Sequence, residues 1–171
     1  LLSIHWMHGR ATHMPEQWTD WDISTATRAY LETVAEAVEF TGQLAHEGRR
    51  PFDVLTHLDM IKRYTQRFRG GFDIASHADL VDRILRGCLE AGLVLEVNTS
   101  SLRQGMDETM PAAWIVRRYA ELGGEAVALG SDAHQPEHVG AAFAQTSQWL
   151  AAEGIRKLAV FRKRFCTLEL L

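Results

Sequence analysis

Cysteine is scarce: Cys88 and Cys166 are the only two in 171 residues, too few for a disulfide framework. Cys88 falls at helical spacing with Val81, Ile84 and Leu85, the pattern of a buried core thiol. The compartment read from this is reducing cytoplasm. An excess of positive charge is missing too. The net charge is -4, with both signs interspersed, so no basic stripe marks nucleic acid as a partner. No apolar run approaches the ~20 residues that cross a bilayer, and no basic n-region opens the chain as it would a signal peptide. An initiator methionine is also lacking. The opening Leu1-Leu2-Ser3-Ile4-His5-Trp6 reads as a strand, which predicts that the chain is a fragment. Without repeats, low-complexity segments or linkers, residues 1–171 are expected to form one domain.

What is present alternates short apolar runs with longer helical stretches, the pattern of an α/β protein. After the first run, Ser24 is placed to cap a helix from about Thr25, whose stripe is Tyr30, Val34, Ala37 and Val38 and whose stop is Gly48. Phe52–His57 reads as a second strand, followed by a loop through Arg69-Gly70-Gly71 and a helix from Ala78 to Ala91 closed by Gly92. Leu93–Asn98 is the third strand, Pro111 starts the next helix, and Ala126–Gly130 is the fourth strand. A helix after Pro136 carries Val139, Phe143, Thr146 and Leu150, and Lys157 to Leu170 reads as a closing strand or hairpin. Near-continuous apolar strands joined by helices predict parallel strands covered on both faces, in a barrel or an open doubly wound sheet.

Chemistry gathers at strand ends. His57 ends one strand, Asp132 and His134 follow another, and His5 sits in the same kind of position on the first run. In parallel α/β folds that edge is the functional one. Imidazole and carboxylate suit zinc, manganese or iron, and residues two apart in extended chain point the same way, so Asp132 and His134 could serve one metal cluster. Glu96 and Asn98 share a strand face opposite Leu95 and Val97. Blander roles stand beside these. Asp132 and Asp59 suit helix caps, Glu96 could pair with an arginine, and Asn98 could merely end its strand. His8, His13, His46, His77 and His138 fit loops or helix surfaces and receive no role.

Four segments resemble the polymerase and histidinol phosphatase (PHP) family, in its histidinol-phosphatase branch. Phe52-Asp53-Val54-Leu55-Thr56-His57-Leu58-Asp59-Met60-Ile61-Lys62-Arg63-Tyr64 looks like the third metal-binding motif, and Leu129-Gly130-Ser131-Asp132-Ala133-His134, followed by Val139-Gly140, like the last. Leu95-Glu96-Val97-Asn98-Thr99-Ser100-Ser101-Leu102-Arg103 resembles the strand and loop of the branch, where glycine is usual at the place of Ser101, and Ser3-Ile4-His5-Trp6 resembles its Ser-x-His-aromatic segment. The four occur in the family's order over nearly the whole chain.

This resemblance implies a distorted (β/α)7 TIM-like barrel, here incomplete and represented by its C-terminal two-thirds, with a multinuclear cluster of divalent metal ions. It implies metal-dependent hydrolysis of a small phosphate ester, histidinol phosphate in histidine biosynthesis. No side chain acts as nucleophile; water on the metal, its pKa brought down to about 7, supplies hydroxide. His5, His57, Asp132 and His134 would be metal ligands, and Arg103 would grip the phosphate, possibly with Arg63, for which a surface charge is an equal alternative. Asp59, Glu96 and Asn98 would support the site from behind. The family's His-x-His strand and further His and Glu ligands have no counterpart here. Weak metal binding and little activity are therefore expected of the chain alone, with a strand edge exposed near Leu1–Trp6. Two other readings are a phosphoesterase for another small ester and a non-catalytic scaffold of the same fold.

Overall fold

The computed structural model describes residues 1–14, 20–67 and 72–171, and the side chains of 65–67 are not described. The predicted Arg69-Gly70-Gly71 loop lies outside the described residues. A long amphipathic helix, α1 (Ile23–His46), buries Ala26, Tyr30, Leu31, Val34, Ala35 and Val38 along one stripe. Its cap is Asp22, two residues before the predicted Ser24: the extended backbone there lets Oδ1 accept the Thr25 N–H at 2.7 Å. Gly48, at φ +77°, stops it as predicted, donating its N–H to Ala45 O at 3.0 Å.

The predicted first strand is mostly not one. Leu2 alone meets the main sheet, giving its N–H to Val54 O at 2.7 Å and taking the Thr56 N–H at 3.0 Å. Trp6–Met7 (β1) instead pairs antiparallel with Arg10–Ala11 (β2). The second strand shrinks to Val54–Leu55 (β3), because the backbone turns at His57, whose φ is +32°, into a 3-10 stretch over Met60–Arg67. Helix α2 (Ala78–Ala91) ends at Gly92, φ +67°, where the sequence placed the stop. It lies close against α1: a methyl on Gly87 would meet Val38 Cγ1 at 2.9 Å.

Strand β4 (Val94–Asn98) leads to a one-turn helix α3 (Ser100–Arg103), helix α4 (Ala113–Glu121) and strand β5 (Ala126–Gly130). Helix α4 starts two residues after Pro111, not at it. The helix predicted after Pro136 is broken: a 3-10 turn covers Pro136–His138, Gly140 and Ala142 have positive φ, and α5 runs only from Phe143 to Ala152. Val139, assigned to its apolar stripe, is 73% exposed for that reason. Strands β6 (Lys157–Arg162) and β7 (Phe165–Leu170) form a hairpin, the second of the two expected alternatives.

The main sheet runs β3-β4-β5-β6-β7, with the first three pairings parallel and the last antiparallel. Leu95 opposes Val127 and Val97 opposes Leu129; that face packs into the core with Val81, Ile84, Leu85 and Cys88 of α2 and Ile115, Val116 and Tyr119 of α4. Glu96 opposes Ala128 and Asn98 opposes Gly130 on the other face. The alternation puts apolar burial on one side and the polar cluster on the other. None of the described helices is long and apolar enough to cross a membrane.

Candidate metal and phosphate site

Glu96 organises this polar face. Its carboxylate is buried, accepts the His57 backbone N–H at 3.0 Å and the Asn98 Nδ2–H at 3.2 Å, and so ties the end of β3 to β4. The expected alternative of an arginine partner is absent from its contacts among the described residues. Burial pushes the Glu96 carboxyl up, against the pull of those two hydrogen bonds. The fit depends on a neighbour without a side chain: a Cβ on Gly130 would sit 2.0 Å from Glu96 Oε1.

His57 is brought to the edge by the same bond. Its ring is buried and stands edge-on to His5, centroids 5.2 Å apart. His5 is carried there by the Leu2 bridge and by its own carbonyl, which accepts the Thr12 N–H at 2.9 Å. Thr56 Oγ1 lies 3.3 Å from His57 Nε2, 3.1 Å from Leu2 O and 2.5 Å from Ser3 Oγ, a contact that holds the ring in place. His57 Nδ1 is buried with no hydrogen-bond partner among the described residues. Burial and the neighbouring His5 lower the His57 pKa to about 4, so the ring is neutral at pH 7. Burial likewise lowers that of His5, against the pull of Asp132, and His13 and Arg63 add to the lowering.

Asp132 arrives from the turn after β5, at φ +45°. It does not share extended geometry with His134, as the sequence suggested; the turn bends the chain so that His134 Nε2 lies 3.5 Å from Asp132 Oδ1. The His134 side chain is 84% exposed and faces solvent. Arg63 reaches in from the 3-10 stretch, giving Nη2 hydrogens to Ser100 Oγ at 2.7 Å and Asp132 Oδ2 at 3.2 Å. Its side chain is only 19% exposed, which removes the surface-charge alternative. Burial raises the Asp132 carboxyl, but the Arg63 bond and charge, with His57 and His134, outweigh it and the net shift is downward.

Arg103 stands on the other side of this turn. Its Nη1 donates to Ser131 O at 2.8 Å and its Nη2 to Asp132 O at 3.3 Å, so two of its hydrogens hold the backbone that carries Asp132. Asn98 accepts the Ser100 N–H at 3.0 Å and the Ser100 hydroxyl at 2.6 Å. Asp59 is not a cap: it is fully buried, 2.9 Å from Lys62 Nζ, and accepts the Ala112 N–H at 2.8 Å. Burial raises its carboxyl despite Lys62. His77, assigned to a surface, is buried with neither ring nitrogen partnered among the described residues.

The donor set of imidazoles and one carboxylate, with a buried, unpartnered Nδ1 on His57, fits a divalent ion chemically. Among the described residues, no three His, Cys, Asp or Glu side chains already stand in a ligating arrangement. Ser100 is the member that sequence reasoning missed. A serine after a strand carries no signal of its own, and only the fold puts its hydroxyl between Asn98 and Arg63.

No protein-family model matches the chain. It is 34% identical over 144 residues to a probable histidinol-phosphatase of Thermotoga maritima, covering 84% of this chain and 55% of that protein. It is 33% identical over 165 residues to a probable histidinol-phosphatase of Deinococcus radiodurans, covering 95% and 56%. The chain thus spans just over half the length of these relatives. In fold it is similar to histidinol phosphate phosphatase of Lactococcus lactis, determined with zinc, L-histidinol and phosphate: TM-score 0.72, 18% identity, covering 96% of this chain and 60% of that one.

Proposed function

For a chain that belongs to the histidinol-phosphatase branch of the polymerase and histidinol phosphatase family, we propose that the whole protein hydrolyses histidinol phosphate to histidinol and phosphate, as a metal-dependent phosphoric monoester hydrolase of histidine biosynthesis. The observation that carries this is the meeting of His5, His57, Asp132 and Arg63 at the ends of β3 and β5 in a sequence a third identical to proteins so named. We propose further that residues 1–171 are one domain, that its sheet is part of a distorted seven-stranded barrel, and that the protein works in the cytoplasm.

His5, His57, Asp132 and His134 are the proposed ligands, joined by others beyond these four in a multinuclear cluster. Zinc is the favoured ion, since the Lactococcus lactis protein of similar fold holds it; manganese and iron suit the same donors. When bound, such ions neutralise charge on the phosphoryl oxygens and make water acidic enough to ionise near neutrality. The remaining work falls to this chain. His57 offers a neutral nitrogen at physiological pH, its ring fixed by Thr56 and its backbone by Glu96. Arg63 faces the anion site with a guanidinium fork suited to phosphate. Arg103 holds the Asp132 turn and has further N–H groups to offer the same phosphate.

Phosphate release from histidinol phosphate by the whole protein, set against nucleoside monophosphates and sugar phosphates, is the direct test. Asp132→Ala is expected to lose metal and activity together. Full metal occupancy in that variant would remove Asp132 from the ligand set, and preference for another ester would favour the broader phosphoesterase reading.

A further inference from the structure

We propose that Arg63 is the resident counter-cation of the metal site: it neutralises Asp132 while no metal is held there, and a divalent ion that takes Asp132 releases the guanidinium to the phosphate of the substrate. This rests on Asp132 being a metal ligand. Three features carry it.

The first is competition for lone pairs. Asp132 Oδ2 accepts Arg63 Nη2–H at 3.2 Å, while Oδ1 faces His134 at 3.5 Å. A guanidinium and a divalent ion are both cations seeking the same carboxylate. Binding of the ion to either carboxylate oxygen weakens the Arg63 pair by repulsion and by drawing off the negative charge that holds it.

The second is an anchor that does not depend on Asp132. The Ser100 hydroxyl has one proton, spent on Asn98 Oδ1 at 2.6 Å, so toward Arg63 at 2.7 Å it is an acceptor only. The 3.4 Å separation between Ser100 Oγ and Asp132 Oδ2 is then a close approach with no proton left to donate. Asn98 is itself held by Glu96 at 3.2 Å. Released by Asp132, the guanidinium therefore stays at the site.

The third is an unfilled donor. Arg63 Nε is buried without an acceptor among the described residues, and an orphaned N–H in that position is costly. An arriving phosphate offers several oxygens to a planar fork with hydrogens to spare. The guanidinium thus passes between two anions, a carboxylate when the site is empty and a phosphate when it is loaded, and metal and phosphate binding become mutually favourable.

Zinc affinity of the whole protein, measured by competition with a chromogenic chelator, tests this on wild type, Arg63→Gln and Asp132→Asn. Arg63→Gln is expected to bind zinc roughly fivefold more tightly, the scale of a partly exposed ion pair; damage to the site would loosen it instead. Saturating inorganic phosphate is expected to tighten zinc in wild type and to do so less in Arg63→Gln. Equal or weaker zinc binding by a folded Arg63→Gln would overturn the proposal. Should that variant fail to fold, wild type decides: the Arg63 Nε–H resonance, assigned through Arg63→Lys, must move as zinc is added, and a stationary signal overturns it. Asp132→Asn separates the two layers. If it keeps zinc fully, the ligand reading itself falls; if it loses zinc while Arg63→Gln gains none, only the counter-cation proposal does.

Discussion

At Gly130, Glu96 Oε1 occupies the space a side chain would need. That carboxylate is the acceptor for the His57 N–H, so a crowded Glu96 reaches the candidate site at once. Gly130→Ala is expected to cost about 1–3 kcal/mol, as overpacking does, read as a lower urea midpoint. In a double-mutant cycle, shortening Glu96 to Asp should return part of that loss. Strict additivity of the two changes would mean that the carboxylate does not fill this space. The gathering of His57, Asp132 and His134 at strand ends was legible in the sequence, and the family resemblance gave these residues their expected role as metal donors. The burial of Arg63 was not. Its partners Ser100 and Asp132 are 37 and 69 residues away, and no local pattern reports such a contact.

Elements carry the next level of the design, and the 3-10 stretch over Met60–Arg67 is the telling one. It holds Arg63 and follows His57, and it is pinned at its start by a buried ion pair. Lys62 Nζ reaches Asp59 Oδ2 at 2.9 Å, Glu108 Oε1 at 3.1 Å and Thr109 O at 2.5 Å, while Asp59 also takes the N–H of Ala112 just before α4. The stretch and the segment leading into α4 are therefore locked together. Lys62→Met leaves the Asp59 carboxylate buried without its cation and is expected to destabilise the fold by about 3 kcal/mol, seen as a lower melting temperature. Adding Asp59→Leu should recover much of it, because removing both charges relieves the desolvation cost. No recovery would show that the lysine acts through its other contacts. Sequence reading offered Asp59 as a helix cap or as support behind the site, and the cap, a sound local inference, is overridden by a partner three residues on.

At the scale of the whole molecule, one apolar core links α1, α2, α4 and the sheet, and the two thiols report on it. Cys88 is fully buried, and burial pushes its thiol up to about 12; Cys166 lies on the exposed strand β7. At pH 8 Cys88 is thus both shielded and protonated, so a disulfide reagent is expected to titrate one thiol in the native protein and two in denaturant. Two fast thiols in the native state would contradict the packing of α2 on the sheet.

The amino-acid order alone determined the α/β class, the extents of α2 and β5, a closing β segment and the residue types gathered at the site. Each of these follows from short-range rules: a 3.6-residue apolar period, a left-handed glycine stop, a strand-length apolar run, donors at strand ends. Tertiary structure decided the rest. It reduced the first strand to a single bridge at Leu2, broke the helix after Pro136, turned His134 toward solvent and drew Arg63 inward to Asp132. These outcomes depend on which distant groups compete for one carboxylate or one stretch of backbone, and such competition exists only after the chain has closed on itself.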